Sequence, residues 1–146
     1  METLDELAKI VGVEKEVKKI TKMAMEGKID FKEALTRRVN LLKGLPVKEM
    51  EILREKIRFT PGASDLIKEL KKAGFITAII TGGFDFFAKY VAEKLGIDYV
   101  YANKLLVKKG VLTGKFSGKI LDSKAKLKIL ADIAKKEKID LKECVA

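Results

Sequence analysis

The possible folds of this chain are limited above all by an apolar run at 75–80. This run leads directly into Thr81-Gly82-Gly83 and then into a helical pattern at 84–95. A continuous apolar run is typical of a strand covered on both faces in a parallel sheet. Ligands bind such sheets at the carboxyl ends of the strands, where Thr81 is expected. Two glycines allow close backbone approach and a sharp turn, and the next helix N-terminus favours negative charge. The segment predicts a phosphate site, but a strand that simply ends in a glycine turn fits equally well.

Helical periodicity dominates the first 72 residues, and strands alternate with helices after them, which indicates an α/β protein with parallel strands. Thr3 and Glu6 have the form of a capping box, and Asp30 is placed to cap the third helix. The predicted helices cover 3–11, 14–26, 30–43, 47–56, 61–73 with Thr60 as N-cap, 85–95 and 123–136. The predicted strands cover 75–80, 99–102, a hairpin of 104–107 and 111–116, and an incomplete strand at 143–146.

Composition excludes several classes of chemistry. The chain has 146 residues, 47% of them hydrophobic, which suffices for one core and a small helical subdomain. Histidine is absent and Cys144 is the single cysteine, so a His-dependent triad, a His-ligated metal and an internal disulfide are excluded. The sequence shows neither an apolar membrane span nor a signal peptide, and the expected location is the cytoplasm.

The net charge of +10 raises the alternative of a nucleic-acid-binding module. The lysines are scattered over nearly every predicted helix, acidic residues lie between them, and aromatic residues are not interleaved. Such a distribution is more typical of solvated helix faces. We therefore expect neither a nucleic-acid partner nor a membrane partner.

Two cations stand out by position. Arg38 shares the apolar helix stripe of Phe31, Leu35 and Leu42, where a guanidinium needs a carboxylate or phosphate partner, an internal ion pair or a route to water. Lys126 lies on an apolar face in the first turn of its helix, where the helix dipole disfavours a cation. A nearby anion would stabilise both side chains, although an ordinary solvated lysine explains Lys126 about equally well.

The order and spacing of several motifs resemble those of the phosphoserine phosphatase family in the haloacid dehalogenase (HAD) superfamily. The resemblance covers nearly the whole chain. Its motifs are 2–7 (ETLDEL), 24–27 (AMEG) with 30–31 (DF), 37–39 (RRV) with 41–42 (LL), 81–84 (TGGF), 101–103 (YAN), 112–114 (LTG) and Lys126. The resemblance implies a helical cap domain at 1–58 and a partial Rossmann-like HAD core at 59–146.

The resemblance also implies a function and roles for individual residues. Members hydrolyse O-phosphoserine to serine and phosphate in serine biosynthesis and use Mg²⁺. By analogy, Thr81, Gly82 and Gly83 would hold the phosphate, and Lys126 would neutralise charge beside the nucleophile. The remaining implied contacts are Glu2 with the substrate amino group, Arg38 with its carboxylate, and Met25 and Phe31 in closing the cap.

The chain departs from the family at the catalytic groups. The family's D-x-D-x-T motif, with its nucleophilic Asp, and its metal-binding G-D-G-x-N-D motif have no counterpart in residues 1–146. The sequence therefore predicts a phosphatase fragment that is inactive alone, with no metal ligands of its own and with an apolar strand edge exposed. The alternatives are a HAD phosphatase for another small phosphorylated metabolite and a non-catalytic phosphate-ligand-binding protein.

Overall fold

The computed structural model describes residues 2–146, which form seven α-helices and a three-stranded sheet. The elements in chain order are α1 (Thr3–Val11), α2 (Glu14–Met25), α3 (Phe31–Asn40), α4 (Val47–Glu55), α5 (Ala63–Lys72), β1 (Ala78–Phe84), α6 (Asp85–Leu95), β2 (Tyr99–Lys108), β3 (Val111–Ser117) and α7 (Ser123–Lys136). A 3₁₀ turn at Leu141–Glu143 follows. No helix in residues 2–146 has the length and apolar character needed to cross a membrane.

The sheet has the order β1-β2-β3, with β1 and β2 parallel and β2 and β3 antiparallel. The helix α6 makes the crossover between the two parallel strands, as a parallel pair requires. The hairpin of β2 and β3 then packs against α3. One buried cluster joins the four N-terminal helices to the sheet and α6; its largest members include Leu7, Val17, Leu35, Leu42, Met50, Phe84, Phe87, Leu105 and Leu112.

The prediction of a strand at 75–80 was wrong in its boundaries. Gly74, at a φ of 84°, ends α5 with its N–H on Lys71 O, and the N–H of Phe75 bonds Leu70 O at 3.0 Å. Because the N–H of Phe75 takes part in this Schellman-type helix ending, the strand begins only at Ala78. Phe75 and Ile76 are 52% and 42% exposed, so the start of the apolar run lies at the surface.

At its other end β1 continues through the glycines instead of stopping at a turn. Its only sheet partner among residues 2–146 is β2, so β1 is an edge strand, and its residues from Ile79 to Gly83 are half-buried. The predicted strand at 99–102 and the first hairpin strand are one continuous strand, because β2 pairs with β1 in its first half and with β3 in its second.

Several predicted helix ends also need correction. Glu2 is the N-cap of α1 without a side-chain bond, so the capping box of Thr3 and Glu6 does not form. Gly62, in the left-handed region, precedes α5, and Thr60 is not its N-cap. The third helix ends at Asn40 and continues as turns, while residues 144–146 show no strand. Asp30 caps α3 through Glu33 N at 2.8 Å, as predicted.

A polar contact between Thr77 and Asp98 fixes the start of the parallel pair. The Asp98 carboxylate accepts from Thr77 N and Oγ1, both at 2.8 Å, and from Lys71 Nζ at 3.1 Å. The backbone N–H of Thr77, then its hydroxyl and Lys71, hold the pKa of Asp98 below its ordinary value against the opposing effect of burial. The ionised carboxylate therefore stabilises the joint between α5, β1 and β2.

We predict that Asp98→Asn lowers the free energy of unfolding at pH 7 by about 0.5–1.5 kcal/mol, because the partly exposed carboxylate is screened by water. The folded-state pKa of Asp98 lies below its ordinary value of 3.8, so its contribution is complete above that pH and is lost as the pH falls through the folded-state pKa. Urea titrations of both proteins at several pH values measure the difference. A difference that stays constant from neutral to strongly acidic pH would contradict this account.

Two glycines of the hairpin provide a second test. Gly114 and Gly110 have φ values of 78° and 75°, so alanine is strained at either position. A Cβ at Gly114 would lie 3.0 Å from Asn40 O and from Lys43 Cβ, whereas one at Gly110 would meet nothing within 4 Å. We expect Gly114→Ala to cost about 1–3 kcal/mol more unfolding free energy than Gly110→Ala, measured by urea titration. Equal losses would mean that α3 does not pack this tightly on β3.

Candidate functional site

A cavity of about 540 Å³ lies between the N-terminal helices and the carboxyl end of β1. Its lining contains seven of the eight site residues predicted from the sequence, namely Glu2, Phe31, Arg38, Thr81, Gly82, Gly83 and Lys126. They come from four separate parts of the chain. Met25, the last residue of α2, is 84% exposed and is not part of the lining, and its role stays a prediction.

The floor of the cavity is the segment Thr81-Gly82-Gly83. Gly83 N donates to Thr81 Oγ1 at 3.0 Å, so the hydroxyl accepts a local bond and keeps its proton for another acceptor. A Cβ at Gly82 would lie 3.3 Å from Phe31 Cζ, which shows how closely α3 approaches this backbone. Neither Gly82 nor Gly83 has a positive φ, so their small size serves close approach and not a turn.

Arg38 extends from α3 and is half-buried. Its Nε donates to Ala34 O at 3.3 Å and its Nη1 to Thr21 Oγ1 at 3.4 Å, and both acceptors are neutral. The ion pairs within residues 2–146 include the neighbouring Arg37 with Glu33 but do not include Arg38. The internal ion pair left open by the sequence is thus not formed in the described chain, and the guanidinium charge faces the cavity.

Lys126 lies in the first turn of α7 and lines the same cavity as Arg38. Asp122 caps this helix by accepting from Ala125 N at 2.8 Å, and its other oxygen pairs with Lys32 Nζ of α3 at 3.1 Å. The N–H of Ala125, and then Lys32, hold the pKa of Asp122 below its ordinary value. One carboxylate therefore both starts the helix of Lys126 and connects it to α3.

The charges that line the cavity are unbalanced. Arg38, Arg58 and Lys126 are cations, and Glu2 is the carboxylate of the lining. Three positive charges against one negative charge attract an anion into a concave site, where the low-dielectric walls strengthen the field. Arg58 follows α4 in a segment without regular structure, and no periodicity in the sequence could place it here.

Asn103 is a second residue whose importance sequence analysis missed. It is 1% exposed, and its side chain links Gly82 O at 2.8 Å to Leu121 N at 2.7 Å. The motif at 101–103 contributed to the family resemblance, but nothing in the sequence indicated these contacts. A second cavity of about 360 Å³, next to α4 and α6, contains none of the predicted site residues.

The fold and the cavity together define an α/β protein with a cationic cavity at the end of a parallel strand. The family model described as haloacid dehalogenase-like hydrolase matches residues 5–146. The phosphoserine phosphatase of Methanocaldococcus jannaschii is 51% identical over 99% of this chain, and that of Archaeoglobus fulgidus is 47% identical over 99% of it. The chain belongs to the phosphoserine phosphatases of the HAD superfamily, a family of phosphoric monoester hydrolases.

Solved structures show the same relationship in three dimensions. A phospho-aspartyl intermediate analogue of phosphoserine phosphatase superposes with a TM-score of 0.86 at 51% identity, over 96% of this chain and 67% of that one. A probable phosphoserine phosphatase from Vibrio cholerae, in unliganded form, gives a TM-score of 0.87 at 35% identity, over 94% and 43%. The predicted HAD-like α/β fold is confirmed. The chain spans 69% of the length of the M. jannaschii relative and 42% of the A. fulgidus relative.

Proposed function

We propose that the cavity binds phosphoserine and that the protein to which this sequence belongs hydrolyses it. One observation supports this proposal most strongly. Side chains from separate parts of the chain line a single cavity, namely Glu2, Arg38, Thr81 and Lys126. Thr81, Gly82 and Lys126 form the phosphate end. One of the solved relatives is a substrate-bound phosphoserine phosphatase complex, which is 51% identical to this chain.

The charges of the ligand match those of the cavity. Phosphoserine has a doubly ionised phosphate, a carboxylate and an ammonium group at neutral pH, and therefore a net charge of about −2. The lining has three cations and one carboxylate, a net side-chain charge of 3 − 1 = +2. Lys126 and the Thr81 hydroxyl suit the phosphate, Arg38 suits the carboxylate through its planar fork, and Glu2 suits the ammonium group. A metabolite without an ammonium group would leave Glu2 unpaired.

Phe31 is placed to cover the bound phosphate, because the tip of its ring lies close to Gly82 while 47% of the residue stays exposed. The Lys32–Asp122 pair connects the same end of α3 to α7. Excluding water from a phosphate site strengthens its electrostatic contacts. Met25 would join this cover only if the end of α2 moved toward the cavity.

The groups that attack the phosphoryl group are not part of this lining. The 146-residue sequence has no Asp-x-Asp motif, and within residues 2–146 no group of three or more Asp, Glu, Cys or His side chains is placed to hold a metal ion. Glu2 alone, among three cations, does not fit Mg²⁺, which prefers several oxygen ligands. Mg²⁺ therefore has no assigned step here, and this chain supplies binding and orientation of the substrate.

We predict that the 146-residue protein binds phosphoserine without hydrolysing it. Binding follows from the cavity, and the absence of turnover follows because binding without a nucleophile does not lower the reaction barrier. Calorimetric titration measures the first, and phosphate release with Mg²⁺ against a no-protein control measures the second. Phosphate release above the control would show that a different group attacks; undetectable binding would refute the proposed site.

Arg38→Ala tests the carboxylate assignment, with phosphoethanolamine as the ligand that lacks the carboxylate. We expect the dissociation constant for phosphoserine to rise about tenfold or more, because a charge-assisted bidentate contact is lost. The constant for phosphoethanolamine should change by less than about threefold. Arg37→Ala is the matched control, since Arg37 pairs with Glu33 away from the cavity. Equal losses for both ligands would remove the assignment of Arg38.

A further inference from the structure

The pairing between β1 and β2 is interrupted at the floor of the cavity. Ile80 pairs with Tyr101 and Phe84 with Asn103, so three residues of β1 lie opposite a single residue of β2. Thr81, Gly82 and Gly83 thus bulge out of the ladder toward the cavity. A bulge leaves backbone groups without their sheet partners, and such groups need others when they are buried.

The side chain of Asn103 takes the place of the missing sheet partner. Its Nδ2 donates to Gly82 O at 2.8 Å, and its Oδ1 accepts from Leu121 N at 2.7 Å. One partner is an acceptor and the other is a donor, so the orientation of the amide is determined by its neighbours. Asn103 is 1% exposed, and loss of either bond would leave a buried polar group unpaired.

The bond to Gly82 O also decides where the next N–H points. In a trans peptide the C=O of Gly82 and the N–H of Gly83 point in opposite directions. With the carbonyl held by Asn103, the N–H of Gly83 donates to Thr81 Oγ1 at 3.0 Å. The hydroxyl oxygen is then engaged as an acceptor, and its proton is available to a ligand in the cavity.

We propose that Asn103 is a positioning residue that, through the Gly82–Gly83 peptide, orients the Thr81 hydroxyl as a hydrogen-bond donor to a tetrahedral oxyanion. Through Leu121 it also fixes the segment that leads to Asp122 and the helix of Lys126. One buried amide would thereby set the spacing between the Thr81 hydroxyl and the helix of Lys126. The proposal rests on the proposed function only for the presence of an anion in this cavity.

Asn103→Asp tests the proposal, because it keeps the size and the acceptor for Leu121 N but puts an oxygen against Gly82 O. Sulfate is the probe, since its charge stays constant between about pH 4.5 and pH 8, unlike that of phosphate. At pH 8 we expect the dissociation constant for sulfate to rise about fivefold to tenfold relative to the unmodified chain, the factor of roughly one hydrogen bond. The amide hydrogen of Gly83 should exchange faster as well.

A pH profile separates positioning from general damage. Burial raises the pKa of an Asp at this position, and the protonated carboxyl again donates to Gly82 O. The affinity ratio between the unmodified and variant chains should therefore approach 1 as the pH falls toward about 4.5. Leu112→Val, a core change on β3 outside this cavity, is the control and should leave sulfate affinity within about twofold. An unchanged affinity in Asn103→Asp, or an equal loss in Leu112→Val, would overturn the proposal.

The hydrogen-exchange readout keeps this test distinct from that of the proposed function. If the unmodified chain binds neither sulfate nor phosphoserine, the proposed function fails. In that case Asn103→Asp must still speed the exchange of Gly83 N–H by more than about tenfold relative to Leu112→Val, or the link to Thr81 is refuted. If the variant does not fold, hydrogen exchange in the unmodified chain is the test. Gly83 N–H and Leu121 N–H must then both exchange slowly. Exchange of either at the rate of an exposed amide would refute the proposed hydrogen bonds around Asn103.

Discussion

The mismatch between β1 and β2 is the constraint on which the candidate site depends. A regular parallel pair would bind the backbone of Thr81, Gly82 and Gly83 to the sheet, whereas the bulge places these residues in the cavity. The buried side chain of Asn103 stabilises the bulge by donating a hydrogen bond to the displaced Gly82 carbonyl. Phe31 of α3 then packs on Gly82, where a larger residue would crowd it. Strand register, a buried amide and a missing side chain thus together shape the floor of the cavity.

The N-terminal helices complete the site because they share a core with the sheet. Leu4, Leu7 and Leu35 belong to the same buried cluster as Phe84 and Phe87. This packing holds Glu2 and Arg38 beside the strand end, and the Lys32–Asp122 pair adds a polar contact at the rim. Lys32 is exposed and Asp122 is partly exposed, and such ion pairs contribute little to stability. The pair therefore serves mainly to orient α3 relative to α7. The division into a cap at 1–58 and a core at 59–146 stays a proposal.

Local patterns in the sequence predicted a large part of this arrangement. The limits of α6 and α7 and the cap at Asp30 agree with the structure, because each follows from local periodicity and capping chemistry. The stripe position of Arg38 and the first-turn position of Lys126 indicated unusual surroundings, and both residues line the cavity.

Features that depend on distant contacts escaped prediction. The start of β1 is set by the ending of α5 and by Asp98, which lies 21 residues beyond Thr77. Arg58 reaches the cavity from an irregular segment, and the partners of Asn103 lie 21 and 18 residues away. Such pairings carry no local signature. For Met25, the family resemblance implied a role in closing the cap. In this arrangement of α2 the residue is exposed and does not line the cavity, so its role stays a prediction.

A crystal structure of the 146-residue protein with phosphoserine is the most direct test of the central claim. The account predicts the phosphate against the Thr81 hydroxyl and Lys126, with the ligand carboxylate on Arg38 and the ammonium group toward Glu2. Phosphoserine bound outside this cavity, or bound in it with the phosphate on Arg38 and away from Thr81, would contradict the account.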